Sequence, residues 1–287
     1  MQNIARVHPL IEQGEVFLVA GVYDALSAKL AERAGFHAVV VTGYGVSASL
    51  LGEPDFGLMT QTELIDAARR ICNAVSIPVS VDGDTGYGGA LNVFRLVKAL
   101  KEMGARGVLL EDQVWPKRCG HMKGKDVIAA EEHEQKVRAA VEARGDYPLM
   151  ITARTDALAV HGLEEAIRRA NLYKAAGADL IFVEAPRTVE DLREIGRQVP
   201  PPLVVNCIEG GQTPILSLEE YKELGFIAIG YVLSGLYAAA KALADVYGCL
   251  REHGTSEPMR ERMMDFNEFA EVIGLDQRYA LDERFRA

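Results

Sequence analysis

The stretch ALNVFRLVKALKEMGARGVLLED, residues 90–112, contains the unit that decides the fold. Apolar residues at helical spacing run from Ala90 to Met103, and Gly104 follows as a residue type that commonly ends a helix. A continuous apolar run, Gly107–Leu110, comes next and leads into the acids Glu111 and Asp112. Because strands buried on both faces read as continuous apolar runs, this stretch predicts a helix followed by a buried parallel strand.

The same unit recurs along the chain. Further apolar runs predict strands at Val16–Ala20, Ala38–Val41, Pro78–Val81, Leu149–Ala153, Leu180–Val183, Leu203–Val205 and Ile227–Ile229. Amphipathic patterns between the runs predict helices at Asp24–Ala34, Thr62–Ala74, Ala130–Ala143, Leu163–Ala175 and Val189–Gln198. Repeated strand–helix units with right-handed crossovers close into a (β/α)8 barrel of the TIM type, an α/β fold. An open doubly wound sheet is the alternative, but no Rossmann glycine fingerprint follows the first run.

We predict one barrel domain over residues 1–254 and a helical tail over residues 255–287. The tail carries apolar residues at helical spacing, among them Met259, Met263, Phe266, Phe269 and Val272. These residues either pack on the chain's own barrel or form a contact between subunits, because an apolar helix outside a closed barrel needs a partner surface.

Composition narrows the classes of function. The chain has 287 residues and a net charge of -10, which argues against nucleic acid or an anionic membrane surface as a partner. Residues Met1–Pro9 lack the apolar core of a signal peptide, and Val232–Tyr247 is too short and too charged to span a membrane. No zinc-ligand spacing relates the cysteines, Cys72, Cys119, Cys207 and Cys249. We therefore expect a cytoplasmic protein that acts on a small molecule.

Polar residues follow the predicted strands, at the end where barrel enzymes carry their active sites. In strand order they are Asp24, then Thr42, Gly43 and Tyr44, then Asp82 and Asp84, Glu111 and Asp112, Arg154 and Asp156, Glu184, and Asn206. Any one of them would fit a helix cap or a solvated loop, Asp24 and Asp156 above all. Together they predict an active site.

The acids in this set predict a metal site. Asp82 and Asp84 are two residues apart at a strand end, so their side chains point to the same side. With Glu111 and Glu184 they form a group of acids whose repulsion a divalent cation or shared protons must offset. Oxygen-only ligands favour Mg²⁺, with Mn²⁺ as the alternative. Surface salt bridging is the competing interpretation, and the flexible Thr85–Gly89 turn counts against it.

The loop after Glu111 brings a thiol, an imidazole and several cations together. Lys117, Arg118 and His121 surround Cys119, and their field is expected to favour its thiolate. Arg154 suits a substrate carboxylate unless it pairs with a neighbouring acid, and the glycines of Thr42–Gly45 expose backbone N–H groups to a second one. We therefore expect a small acid with several carboxylates. Bound Mg²⁺ would stabilise an enolate next to a carboxylate, and Cys119 would protonate the other fragment.

These residues stand in motifs that resemble the isocitrate lyase/phosphoenolpyruvate mutase superfamily, from about residue 5 to the end of the chain. The motifs are Tyr23–Ala28, Thr42–Gly45, Gly52–Gly57, Asp82–Gly88, Glu111–Gln113, Pro116–His121, Ala153–Ala157, and Asn206 with Glu209–Pro214. The sequence Lys-Arg-Cys-Gly-His at residues 117–121 is similar to the loop of the carbon–carbon lyases, in which the cysteine is a general acid.

The resemblance implies a role for each motif. Around the Mg²⁺ it places Asp55, Asp82, Asp84 and Glu111, with Asp84 as the direct ligand. In the substrate site it places Thr42, Gly43, Tyr44, Arg154, Glu184, Asn206 and Thr213, and in the closing loop Lys117, Arg118, Cys119 and His121. Tyr44 or a water on the metal is the candidate base. The resemblance also implies a homotetramer that exchanges its tail helices.

Two segments, Met122–Lys125 and Glu209–Pro214, look more like 2,3-dimethylmalate lyase than 2-methylisocitrate lyase. We therefore predict a Mg²⁺-dependent lyase that cleaves a 2-hydroxy dicarboxylate of the 2-alkylmalate type to pyruvate, or another 2-oxo acid, and a short carboxylate. The alternatives are a 2-methylisocitrate lyase, an oxaloacetate hydrolase or decarboxylase, a carboxyphosphonoenolpyruvate mutase, and a non-catalytic metal-dependent protein that binds oxo acids.

Overall fold

The structure, a computed structural model, describes residues 9–286. The expectation that the N-terminal residues are not a signal peptide concerns mostly residues outside this range. Within it, eight parallel strands pair in chain order and close into a barrel, because β1 pairs with both β2 and β8. The strands are β1 Phe17–Val22, β2 Ala38–Val41, β3 Val79–Asp82, β4 Gly107–Glu111, β5 Met150–Thr155, β6 Leu180–Val183, β7 Leu203–Cys207 and β8 Phe226–Tyr231. The predicted (β/α)8 barrel is confirmed.

Helices connect the strands around the outside of the barrel. They are α1 Pro9–Glu12, α2 Ala25–Arg33, α3 Gly43–Val46, α4 Gln61–Cys72, α5 Ala90–Glu102, α6 Ala130–Arg144, α7 Ala157–His161, α8 Leu163–Ala175, α9 Val189–Gln198, α10 Leu218–Glu223, α11 Ser234–His253, α12 Phe266–Ile273 and α13 Leu275–Arg284. A π-helical turn spans Ser47–Leu51 and a 3-10 helix spans Glu257–Arg262. Predicted and observed bounds differ by one or two residues, as helix ends usually do.

Local sequence explains where these helices begin and end. Asp24 is the N-cap of α2, and its carboxylate accepts a hydrogen bond of 2.7 Å from the backbone N–H of Ser27. It is therefore a cap and not a site residue. Gly35 and Gly104 follow α2 and α5 with φ of 88° and 89°, a conformation that glycine adopts without steric cost.

The strands reach farther toward the catalytic end than their apolar runs predict. Asp82, Glu111, Arg154 and Asn206 are strand residues, and not residues of the following loops. Glu111 pairs in register with Arg154 across β4 and β5. Because the barrel ladder holds their backbone, these polar side chains start from a rigid frame, which is the arrangement that precise catalytic geometry requires.

The last helices are the most exposed part of the barrel. No residue of α11 is buried, and Leu243, Tyr247 and Leu250 on it are 50%, 63% and 41% exposed. The apolar tail pattern is divided between the 3-10 helix, α12 and α13, because Asp265 caps α12 and Gly274 ends it at φ 73°. Among these, α12 contacts α2 of its own chain. The domain division at residue 254 and the exchange of tail helices stay predictions.

Cys72 and Cys249 lie on α4 and α11 and are half-buried. None of the helices described is both long enough and apolar enough to cross a membrane.

Candidate active site

A cavity of about 130 Å³ runs through the barrel interior and reaches the carboxyl ends of the strands. It gathers most of the residues that the sequence singled out: Thr42, Tyr44, Asp55, Asp82, Lys117, Cys119, His121, Arg154, Glu184 and Asn206. Gly43, Asp84 and Glu111 lie immediately behind this lining, in contact with it through Asp82, Lys117 and Arg154 respectively. The barrel therefore brings together residues that are as much as 164 positions apart in sequence, from Thr42 to Asn206.

Arg118 and Thr213 are not part of the cavity lining in the described chain. The Arg118 guanidinium stacks on the ring of Phe56 at 5.3 Å and donates to the carbonyl of Lys123 at 3.1 Å. Thr213 is buried in the loop after β7. Arg118 therefore stabilises the fold of the loop, and its side chain does not face the cavity.

Lys117 lies among the acids of the site. Its Nζ is 2.7 Å from a carboxylate oxygen of Asp55 and 2.5 Å from Asp84 Oδ1, and the side chain is 3% exposed. Burial by itself would lower the pKa of Lys117, but the charges of Asp84, Glu111 and Asp55 outweigh it and hold the pKa well above its usual range. The closed loop therefore neutralises part of the acid cluster with a fixed ammonium.

The donor set around Asp84 fits a hard cation. Glu111 Oε1 is buried and makes no hydrogen bond, and buried Asp84 Oδ1 faces the Lys117 ammonium in an ion pair that lacks hydrogen-bond geometry. Asp82 Oδ2 and Asp84 Oδ1 both point at Gly43, where a Cβ would stand 3.2 Å from each of them. Among the residues described, no three acids, histidines or cysteines converge closely enough to hold a metal by direct contacts alone. Such a site suits Mg²⁺, which keeps several of its waters.

Burial divides the acids into two groups. It raises the pKa of Asp82, with help from the charge of Asp84, and it raises the pKa of Glu111 well above its usual range. The opposite holds for Glu184, because Arg154 and His121 outweigh burial and lower its pKa. Asp82 and Glu111 therefore hold a proton more readily than free carboxyl groups do, whereas Glu184 ionises more readily.

Arg154 is the centre of an ion-pair cluster. Its guanidinium binds Asp156 through two hydrogen bonds of 2.9 and 3.1 Å, and it lies 3.4 Å from both Glu111 and Glu184. Of the two roles expected for Arg154, pairing with a neighbouring acid is therefore observed. Lys125 of the loop reaches Asp156 from the other side at 3.0 Å.

Asp156 is a site residue that sequence reasoning underestimated. It was expected to be a cap as readily as a site residue, and it stands at the N-cap position of α7, but its side chain is fully buried and makes no capping hydrogen bond. Burial alone would raise the pKa of Asp156, yet Arg154 and Lys125 lower it to about 2. The signal was present, because Asp156 follows Arg154 by two residues at the end of β5, and residues two apart in extended backbone point to the same side.

Asp112 anchors this cluster from behind. Its carboxylate accepts hydrogen bonds from Thr155 Oγ1 at 2.7 Å, from Tyr173 at 2.8 Å, from the backbone N–H of Asp156 at 2.9 Å and from Arg169 at 3.0 Å. Arg169 and Tyr173 come from α8. Their helical pattern alone identifies them as ordinary helix residues, so no signal in the sequence linked them to Asp112.

Asp156→Asn tests the ion-pair cluster. Since the folded pKa of Asp156 is below its unfolded value, its stabilisation is present above about pH 4 and is lost as the pH falls toward about 2. We expect the variant to lose about 2–3 kcal/mol of unfolding free energy at pH 7, with a difference from wild type that shrinks below pH 4. Urea unfolding at several pH values measures this. The exposed Asp66→Asn is the control, and a pH-independent difference would contradict the assignment.

The Cys119 loop closes over the cavity. The backbone N–H of Cys119 donates to the carbonyl of Asp55 at 3.2 Å. His121 accepts the backbone N–H of Gln212 on Nδ1 at 3.0 Å, and its Nε2 lies 3.1 Å from Glu184 without good hydrogen-bond geometry. Gln212 lies in the Glu209–Pro214 segment that the sequence singled out, but its contact with His121 appears only in the folded loop.

The cations next to Cys119 in the sequence were expected to favour its thiolate, but burial outweighs them. Burial raises the pKa of Cys119 to about 11, and the charges of Glu184 and Asp55 add to that effect. The cations expected to act on the thiol are engaged elsewhere, since Lys117 faces the acids and Arg118 faces Phe56. Cys119 therefore carries its proton at neutral pH, as a general acid must.

Comparison with known proteins places this site in a family. The family model described as phosphoenolpyruvate phosphomutase matches residues 7–251. The chain belongs to the phosphoenolpyruvate mutase/isocitrate lyase superfamily. The expected family membership is therefore confirmed.

Two curated relatives cover nearly the whole chain. The petal death protein of Dianthus caryophyllus is 52% identical over 98% of this chain and 88% of its own length. The 2,3-dimethylmalate lyase of Eubacterium barkeri is 40% identical over 96% of both chains. The prediction that the protein is an enzyme of the lyases of this superfamily is therefore confirmed.

Solved structures give the same result. Oxaloacetate acetylhydrolase in complex with 3,3-difluorooxalacetate superimposes with a TM-score of 0.91, at 35% identity over 96% of this chain and 94% of its own. Phosphonopyruvate hydrolase in complex with oxalate and Mg²⁺ superimposes with a TM-score of 0.86, at 28% identity over 96% and 95%. Superfamily structures thus include one with a bound Mg²⁺.

Proposed function

We propose that this enzyme is a Mg²⁺-dependent carbon–carbon lyase that cleaves a 2-hydroxy dicarboxylate of the 2-alkylmalate type. The products would be pyruvate, or a related 2-oxo acid, and a short carboxylate. The observation that carries the proposal is a buried thiol, Cys119, held on a closed loop over a cavity that contains Arg154 and part of the acid cluster, where burial raises its pKa and favours the protonated form. A reaction that generates a carbanion needs a proton donor in that position.

The chain's own residues would position the substrate. Thr42, Tyr44 and the N-terminal backbone of α3 would bind the half that becomes the oxo acid, since helix N-termini favour carboxylates. Arg154 and Asn206 line the opposite side of the cavity, where the second carboxylate would lie. Two carboxylates held apart in this way present the bond between them to the reacting groups.

Cleavage then requires two proton transfers. Tyr44, which hydrogen-bonds to Tyr237, is the proposed acceptor of the proton from the 2-hydroxyl group, after its own phenol proton has passed to solvent. As the hydroxyl-bearing carbon becomes a carbonyl, the carbon–carbon bond breaks and its electron pair passes to the carbon beside the second carboxylate. That carbon takes the proton of the Cys119 thiol, and solvent restores both side chains when the loop opens.

Bound Mg²⁺ would polarise the oxygens of the hydroxy acid and stabilise the negative charge that develops there. Asp84 is proposed as the direct ligand, with Asp55, Asp82 and Glu111 acting through waters. The buried Glu111 oxygen that makes no hydrogen bond supports this arrangement.

A substrate panel tests the proposal. Purified protein with Mg²⁺ is incubated with 2,3-dimethylmalate, 2-methylisocitrate, isocitrate, citramalate and oxaloacetate, and pyruvate and oxalate are measured separately. Pyruvate from an alkylmalate, abolished by EDTA, is the expected result. Oxalate from oxaloacetate with no pyruvate would instead identify a hydrolase, and no turnover on any compound would favour a binding protein.

Metal binding can be measured without turnover. Mg²⁺ at 100 times its Kd should stabilise the wild-type fold by about 2.7 kcal/mol, because a ligand that binds only the folded state stabilises it by mass action. Asp84→Asn should lose most of this gain, which differential scanning fluorimetry measures. Asp66→Asn, on the surface of α4, is the control. An equal shift in both variants would exclude Asp84 as a ligand.

We also propose that the enzyme is a homotetramer with exchanged C-terminal helices. The support is the exposed apolar face of α11, with Leu243, Tyr247 and Leu250, which needs a partner surface. Light scattering coupled to gel filtration gives the mass directly, and a monomer of 31.3 kDa would contradict the proposal.

A further inference from the structure

The closing loop is fastened to the barrel by a buried ion pair outside the set of residues assigned to the chemistry. Lys125 lies at the end of the loop, and its side chain is 3% exposed. Its Nζ lies 3.0 Å from Asp156 Oδ1 and also donates to the carbonyl of Gly120. Lys125 therefore joins the backbone next to Cys119 to the residue that directly follows β5 of the barrel.

Asp156 connects Lys125 to Arg154, the arginine proposed to bind the substrate. Its Oδ1 is shared by Lys125 and Arg154 Nη2, and its Oδ2 accepts Arg154 Nε at 2.9 Å. The backbone N–H of Asp156 is in turn fixed by Asp112 at 2.9 Å. Because Lys125 and Arg154 share one buried carboxylate, the position of Lys125 affects the strength and direction of the hydrogen bonds between Asp156 and the Arg154 guanidinium.

The loop also packs tightly where this pair holds it. A Cβ at Gly120 would stand 2.4 Å from the carboxylate of Glu184, so the backbone between Cys119 and His121 lies directly against that acid. Glu184 itself lies 3.4 Å from Arg154. A loop displaced at residue 120 would thus change the surroundings of both the thiol and the guanidinium.

We propose that Lys125 and Asp156 are positioning residues that couple closure of the Cys119 loop to the orientation of Arg154. With the loop closed, Lys125 places Cys119 through Gly120 and supports Arg154 through Asp156. With the loop open, Asp156 has Arg154 as its remaining cation, and the thiol is withdrawn. The catalytic part of this inference rests on the proposed function, whereas the coupling of loop and arginine does not.

Lys125→Met is the decisive variant, because it keeps the length of the side chain and removes its charge. We expect kcat on 2,3-dimethylmalate to fall about 100-fold, as misplaced reacting groups typically cause. Lys125→Arg should recover most of that loss. Lys123→Met, which removes an exposed cation from the same loop, is the matched control and should leave kcat unchanged.

A second measurement reports on the loop itself. The chain has one tryptophan, Trp115, which lies in this loop at 5.7 Å from the ring of Tyr87. Acrylamide quenching of its fluorescence, in the presence of Mg²⁺ and oxalate as the probe, measures how far the loop is closed. The Trp115 fluorescence of Lys125→Met should be quenched more strongly than that of wild type. Quenching should match wild type in the other two variants, Lys125→Arg and Lys123→Met.

The outcomes separate this inference from the proposed function. Loss of kcat with increased quenching in Lys125→Met, both restored by Lys125→Arg, supports the coupling. Unchanged quenching in Lys125→Met overturns it, and so do equal losses in the Met and Arg variants, which indicate a structural role. If wild type cleaves no compound of the panel, the proposed function fails, and the quenching comparison still decides whether Lys125 holds the loop.

Discussion

Cys119→Ser should lower kcat by about 10²- to 10⁴-fold, the range over which general acids contribute. The serine hydroxyl would occupy the same position but is a far weaker acid than the thiol, whose pKa of about 11 lets it keep its proton at neutral pH and still give it up to a carbanion. Steady-state kinetics on the alkylmalate that wild type cleaves measure the loss.

Binding of the oxo-acid product should survive the same change. Cys119 contributes to the loop through its backbone N–H, which Ser keeps. We therefore expect the Kd for pyruvate in the presence of Mg²⁺ to change by less than about threefold, because no charged contact is removed. Cys249→Ser, on the exposed helix α11, is the matched control. Turnover like that of wild type in Cys119→Ser would remove the thiol from the mechanism.

Lys117→Met should destabilise the fold by about 3–5 kcal/mol in EDTA, as removing one partner of a buried ion pair does. The variant leaves Asp55 and Asp84 buried without their ammonium, which is now 2.7 and 2.5 Å from them. Urea unfolding with and without EDTA gives the free energies. Because Met packs as well as the lysine stem, the loss reports the charge and not the packing.

Mg²⁺ should offset much of this loss, since a divalent cation supplies the charge that Lys117 provided. The stability difference between wild type and variant is therefore expected to shrink at saturating Mg²⁺. Lys98→Met, on the exposed face of α5, should change stability by less than about 0.5 kcal/mol with or without the ion. A Lys117→Met deficit that is identical in EDTA and in Mg²⁺ would mean that the cation does not share the acid cluster with Lys117.

Much of the framework could be predicted from sequence because its signals are local. The apolar run Gly107–Leu110 and the glycine at position 104 are strand and helix-end signals that act within a few residues. The placement of Asp82, Arg154 and Asn206 at one mouth followed from the barrel alone, because parallel strands end on the same face. Several predicted strands ended one or two residues before the observed ones, because a polar residue inside a buried strand is read as its end.

What failed depended on pairing between distant segments. The flanking cations suggested a thiolate at Cys119, but Lys117 turns to Asp55 and Asp84, and burial determines the pKa of the thiol. Arg118 likewise stacks on Phe56 and stays out of the cavity. Proximity in sequence does not give direction, so a loop rich in cations need not surround its own thiol with positive charge.

The order of short apolar strands and amphipathic helices determined the closed barrel, and the chemistry-bearing residues at the strand ends determined where its site lies. Both are consequences of periodicity and chain order, which the sequence carries directly. Only the tertiary structure decided the protonation of Cys119, the pairing of Lys117 with Asp55 and Asp84 and the fastening of the loop by Lys125. Those depend on desolvation and on distances of about 3 Å between groups from separate strands and loops, which no local pattern encodes.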